Sequence, residues 1–224
     1  MGMKHDENNT YAEGDHMKVL LVNGSSREFG CTYTALDQIA KTLEKEGIDS
    51  EIFTIGNKPL RDCTACGACR KLEEACIFDD DIVNEFIQKA KEADGFIFGT
   101  PVYYAHPSGR ILSFLDRAFY AAKSVFAHKP GAAVASARRA GTTASVDVLN
   151  KYFTIAEMPV VSSSYWNVVH GNTPQEAEQD LEGMQTMRNL GSNMAWILKC
   201  IEAGKEKGIF IPQTEKKVAT NFIR

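Results

Sequence analysis

The chain is short of several things, and each shortage removes a class of function. No apolar run approaches the roughly 20 residues a membrane-spanning helix needs, so no membrane partner is expected. Basic residues are not in excess: 25 Lys and Arg stand against 29 Asp and Glu, a net charge of −4. With no basic stripe, nucleic acid is a poor partner. The first sixteen residues, MGMKHDENNTYAEGDH, lack an apolar segment and do not read as a signal peptide. They are expected to form a flexible tail. The expected compartment is the cytoplasm, where thiols stay reduced, so disulfides explain the six cysteines poorly. No Ser-His-Asp set and no paired-carboxylate site stands out, and no catalytic residue is assigned. Also missing are a Gly-Lys-Ser/Thr phosphate loop and a GxGxxG run.

What is present is an alternation. At 224 residues and 44% hydrophobic, the chain suffices for one α/β domain, expected over 17–210, with a tail at 211–224. Short apolar strands (MKVLLVNGSS, SEIFTIG, GFIFGTPVYY, KPGAAVASARRAGT, MPVVSSSYWNVV) alternate with helical patterns. The first helix, CTYTALDQIAKTLEKEG, places Leu36, Ile39, Ala40 and Leu43 on one face and closes at Gly47. DDIVNEFIQKAKEAD, SGRILSFLDRAFYAA and TASVDVLNKYFTIA follow, and the stretch from Pro174 to Gly208 reads as one last long helix. Five strands alternating with five helices imply a parallel sheet covered on both faces, with ligands beyond the strands' carboxyl ends.

Three strand exits carry chemistry. NGSSREFGCT, Asn23 to Thr32, leaves the first strand and opens the first helix. It offers the hydroxyls of Ser25, Ser26 and Thr32, Arg27, flexible Gly24 and Gly30, and unpaired helix-start N–H groups, an anion site suited to one phosphomonoester. GTPVYYAHPSG follows the third strand; Pro101 is expected to stiffen a turn, Tyr103 and Tyr104 give aromatic area, and residues 101–104 can present backbone groups to a flat ring, with His106 nearby. SARRAGT, Ser136 to Thr142, holds two adjacent arginines, Arg138 and Arg139, ahead of Gly141. Between the first two lies the cysteine loop, 61–78, with Cys63, Cys66 and Cys69 at CxxCxxC and Cys76 beyond. Such compact spacing favours an iron–sulfur centre over zinc, and thiols without metal are the third alternative. Cys200, in an apolar helical stretch, reads as packing.

On the phosphate loop and GTPVYYAHPSGRILSFLDR, the chain resembles the NADPH-dependent FMN reductase group of flavodoxin-like proteins. On the cysteine loop it resembles the iron–sulfur flavoprotein branch of that group. The resemblance implies a three-layer α/β/α flavodoxin-like fold with a five-stranded parallel sheet, order 2-1-3-4-5. It implies FMN, its phosphate held by Ser25, Arg27, Gly30, Cys31 and Thr32. The ring would lie along Pro101, Val102, Tyr103 and Tyr104, with the turn from Ser136 to Gly141 at its other edge. Arg138 or Arg139 would face reduced flavin or the phosphates of NADPH. Cys31 replaces the group's more usual Asn or Ser, and Arg110 replaces a Lys. A [4Fe–4S] cluster is carried over onto Cys63, Cys66, Cys69 and Cys76. The implied function is an FMN-dependent NAD(P)H oxidoreductase serving a small acceptor such as a quinone, a nitro- or azo-compound, or free flavin. Its alternatives are an electron carrier between protein partners such as ferredoxin, and a flavodoxin-like binding module without flavin. The group assembles as dimers or tetramers, so a homo-oligomer is expected.

Overall fold

The computed structural model describes residues 17–216 and 218–223, so the expected tail at 1–16 lies outside the described residues. The strands are β1 (Lys18–Asn23), β2 (Asp49–Thr54), β3 (Gly95–Tyr103), β4 (His106–Pro107), β5 (Gly131–Ala137) and β6 (Val168–His170). The helices are α1 (Cys31–Lys45), α2 (Val83–Lys91), α3 (Gly109–Phe126), α4 (Thr142–Ile155), α5 (Pro174–Gln179) and α6 (Leu181–Glu206). Five strands pair in parallel in the order β2-β1-β3-β5-β6, and β4 folds back antiparallel onto β3. With that side strand set aside, the path is the expected 2-1-3-4-5.

Alternation along each strand sends side chains to two cores. Leu20, Val22, Phe96, Phe98, Ala133 and Ala135 meet α2, α3 and α4 on one face. Val19, Leu21, Ile97, Ala132 and Val134 meet α1 and α6 on the other. The first core is aromatic: Phe86 packs against Phe53, Phe98, Phe114 and Phe126. Small β5 residues leave room for the large ones of β3. Both faces of the sheet are therefore closed, which leaves the carboxyl ends of the strands open to a ligand. Among the described residues no helix is long and apolar enough to cross a membrane.

Four expectations change. The fifth strand is short: Val160 makes one isolated bridge to Gly131, and regular pairing resumes only at Val168. Between them Ser163 donates to Tyr165 O and Asn167 Oδ1, local bonds that compete with a ladder. The last helix is two. Asp180 breaks it, capping α6 through Gly183 N and accepting from His170 N at the end of β6. Pro101 is not in a turn; it sits inside β3, level with Ser136. Cys200 is exposed rather than packed, because the buried stripe of α6 runs through Leu190, Met194 and Leu198.

Candidate functional site

The loop after β1 is shaped by its own side chains. Asn23, fully buried, accepts from Ser25 N at 3.1 Å and donates to Glu28 O at 3.0 Å. Ser25 Oγ accepts from Arg27 N at 3.0 Å. The loop is also pressed against β3: Gly24 N donates to Gly99 O at 2.8 Å, and a Cβ on Gly24 would stand 2.6 Å from that oxygen. Glycine is needed there for close approach. Gly30 caps α1 without a side-chain bond, leaving the helix's first N–H groups for an anion at the loop mouth. Ser26 and Arg27 lie exposed at that mouth. An uncapped helix start inside a hydroxyl-bearing loop fits a phosphate monoester.

Three residues expected at the cofactor make side-chain bonds within the protein. Thr32 Oγ1 and Ser136 Oγ share a hydrogen bond of 2.8 Å, both residues buried, so this pair ties the cradle to the exit of β5. Cys31 Sγ donates to Gly171 O at 3.5 Å, which directs the thiol away from the mouth and leaves the backbone N–H as its contribution. Burial raises the Cys31 pKa, with a backbone hydrogen bond and the Arg27 charge opposing.

On the ring side, β3 extends past its neighbours to Tyr103 and turns at Tyr104 and Ala105 into β4. Both turn residues lie in the left-handed region, at φ 48 and 63. A two-residue hairpin favours this geometry but usually fills it with Gly or Asn, so strain is stored here. The turn holds Tyr104 wholly out of the protein, at 104% relative exposure, with Tyr103 and His106 exposed beside it. Gly141, at φ 92, abuts this hairpin; a Cβ there would meet Ala105 Cα at 2.5 Å. The turn bearing exposed Arg138 and Arg139 is thus brought against the tyrosine hairpin, with Val102 beneath.

Ser108, assigned no role of its own in the motif GTPVYYAHPSGRILSFLDR, joins the two loops. Its Oγ donates to Gly24 O at 3.2 Å and accepts from Ile111 N at 3.3 Å as the cap of α3, while its N donates to Thr100 Oγ1. A Ser ahead of the apolar run GRILSF is an N-cap signal that could have marked it.

The cysteine loop lies along α3. Cys63, Cys66, Cys69 and Cys76 all line one cavity of about 160 Å³, closed by Phe78, Arg117, Tyr120 and Ala121. Positive φ at Ala65, Gly67 and Glu74 bends the loop around it. All six cysteines are free thiols. Among the described residues no three His, Cys, Asp or Glu side chains are arranged to hold a single metal ion, so the thiols stand around the wall rather than gathered at one point.

Arg117, the last residue of the motif GTPVYYAHPSGRILSFLDR, organises this wall. Its side chain is 1% exposed and pairs with Asp81. It also donates Nε to Cys76 Sγ at 3.3 Å and terminal N–H groups to Arg61 O at 3.3 Å and Phe78 O at 2.9 Å. Burial by itself would lower the Arg117 pKa; the bonds to Asp81 and the Cys76 sulfur outweigh it and the pKa is raised. Asn84 on α2 brackets Cys76, accepting from its N at 2.8 Å and donating to its O at 2.9 Å. Arg110 donates to Lys58 O at 2.7 Å, fastening the chain ahead of the cysteines. From Ser108 to the cavity wall at 117–121 is roughly 14–20 Å along α3 at 1.5 Å per residue.

The profile of the family described as NADPH-dependent FMN reductase matches residues 17–173. An iron–sulfur flavoprotein of Methanocaldococcus jannaschii is 31% identical over 194 residues, covering 83% of this chain and 100% of its own. An NADPH azoreductase of a Bacillus species is 30% identical over 138 residues, 60% of this chain and 65% of its own. Among solved structures, an archaeal flavodoxin superposes with a TM-score of 0.54 at 16% identity, covering 82% of this chain and 99% of its own, and shares the fold. The strand order, the loop after β1 and the span of the profile agree, and the chain belongs to the NADPH-dependent FMN reductase family.

Proposed function

We propose that this flavoprotein oxidoreductase takes electrons from NADPH or NADH through FMN and passes them to a small acceptor: a quinone, a nitro- or azo-compound, or free flavin. The observation that carries the reading is the joining of cradle and hairpin through Gly24, Gly99 and Ser108. The N–H groups of Gly30, Cys31 and Thr32, the Ser25 and Ser26 hydroxyls and the Arg27 side chain would hold the phosphate. Backbone groups of Pro101, Val102, Tyr103 and Tyr104 would meet the ring edge, and Gly141 would close the far side. Ser136 would act indirectly, by fixing Thr32. One of Arg138 and Arg139 would supply positive charge to reduced flavin or to the phosphates of the nicotinamide donor. When bound, FMN supplies the electron-accepting ring; the chain supplies position and electrostatics, and no protein acid or base is required. Protein reloaded with FMN under anaerobic conditions should lose its flavin absorbance when NADPH or NADH is added. Unchanged absorbance with both would overturn the reading.

A second reading, an electron carrier that exchanges single electrons with a protein such as ferredoxin, is favoured by the four cysteines on one cavity wall. Four free thiols on a bent loop fit a [4Fe–4S] cluster ligated by Cys63, Cys66, Cys69 and Cys76. Anaerobic expression followed by iron and sulfide analysis tests it; four titratable thiols with neither element present would remove the cluster. Reduction by ferredoxin but not by nicotinamides would favour the carrier. The free thiols suit a reducing compartment, so a cytoplasmic location is part of the proposal. A homodimer or homotetramer is also proposed, from the family resemblance, with light scattering as its test.

A further inference from the structure

Among the described residues Arg117 is the one charged residue counted as fully buried. A buried guanidinium is costly, and an apolar side chain of similar volume in the same place is often neutral or better for stability. Its neighbours on α3, Phe114, Leu115 and Ala118, are buried and apolar, so the helix face itself has no use for a charge. The charge faces the cysteine loop instead. Its acceptors fall on both arms of that loop: Arg61 O on one, and Cys76 Sγ, Phe78 O and the Asp81 carboxylate on the other. Cys63, Cys66 and Cys69 lie between those arms. Lysine could not replace it in kind, since three acceptors beyond the carboxylate need the planar fork of five N–H donors. The Arg117 guanidinium also lies 5.7 Å from the centre of the Phe78 ring, and Arg61 lies 4.5 Å from it on the loop's first arm.

We infer that Arg117 is the positioning residue of the cysteine cavity, holding both arms of the loop in place and setting the reduction potential of the centre ligated there through its N–H bond to the Cys76 sulfur. The first half stands on the loop's geometry alone; the second rests on the iron–sulfur reading. One-electron reduction adds one negative charge to a thiolate-ligated centre. A fixed positive charge and an N–H donor at sulfur stabilise that added charge and raise the potential.

The test compares the full chain with its Arg117→Met and Arg117→Lys variants, the first removing charge and fork, the second the fork alone. In metal-free protein, amide exchange over residues 61–81 should speed up by roughly tenfold or more in R117M, with a smaller change in R117K and none in β1 and β3. After anaerobic loading with iron and sulfide, the midpoint potential should move to more negative values in R117M and recover part of the way in R117K. Wild-type exchange over 61–81 in R117M overturns the ordering role, and equal potentials in all three proteins overturn the electrostatic one. Should R117M fail to fold, R117K decides the ordering role by the same exchange measurement and the electrostatic one by its potential against wild type. If the wild-type protein binds no iron and sulfide, the cluster reading and the electrostatic half fail together, and exchange still decides the rest.

Discussion

The cradle after β1 and the cavity under the cysteines both touch α3, the first at its cap Ser108 and the second at Arg117, Tyr120 and Ala121, and are made of different materials. The cradle is backbone: an uncapped helix start, a glycine pressed on a carbonyl, and short side chains that fold the loop onto itself. The cavity is side chain: four thiols on a loop with little regular structure, held by the Arg117 guanidinium of α3, the Asn84 amide of α2 and the Asp81 carboxylate just ahead of α2. Backbone sites inherit rigidity from the sheet. A side-chain site depends on a few partners, and losing one leaves the others buried without compensation.

That contrast can be broken first at Asp81. Asp81→Ala strands the buried Arg117 and should cost about 3–5 kcal/mol in denaturant unfolding. Because the cradle is built by the loop after β1 and the start of α1, FMN affinity should change much less; a large parallel loss of FMN binding would show that the two sites are not separable. On the cradle side, Gly24→Ala forces a methyl to 2.6 Å from Gly99 O and should destabilise by about 1–3 kcal/mol. Its FMN dissociation constant, read by flavin fluorescence, should rise by more than about tenfold, whereas amide exchange over the cysteine loop should not change. Ser25→Ala removes the acceptor for Arg27 N together with one of the hydroxyls proposed to hold the phosphate; it should cost about 1 kcal/mol, with a smaller rise in the same dissociation constant. The smallest effect is expected at the hairpin. Ala105→Gly relieves a left-handed residue and should raise stability by roughly 0.5–1 kcal/mol in thermal unfolding. Destabilisation there would mean the Ala105 methyl contributes packing that outweighs the strain.

Much of the architecture was legible because hydrophobic period and strand count are local signals. α1 buries Leu36, Ile39 and Leu43 as its spacing requires, and the apolar runs of β1 and β3 are closed on both faces. The motif loops likewise fell at strand ends. What misled were contests between local and distant bonds. The serines before Trp166 read as strand, but Ser163 bonds to its near neighbours Tyr165 and Asn167, and Asp180 reads as helix but is drawn to the end of β6. Ser108 and Arg117 looked ordinary because their partners lie far along the chain, 84 residues away for Gly24 and 41 for Cys76.

The order of strands and helices, the glycine and hydroxyl content of the first loop and the cysteine spacing are properties of the chain in one dimension, and the sequence determines them. Whether those cysteines share one space, which hydroxyl faces a ligand and which is spent on a neighbour, and where a buried charge is aimed were decided only when α1, α2 and α3 packed against the sheet. Hydrogen bonds and burial act between atoms brought together by folding, and the partners of a side chain are not written beside it.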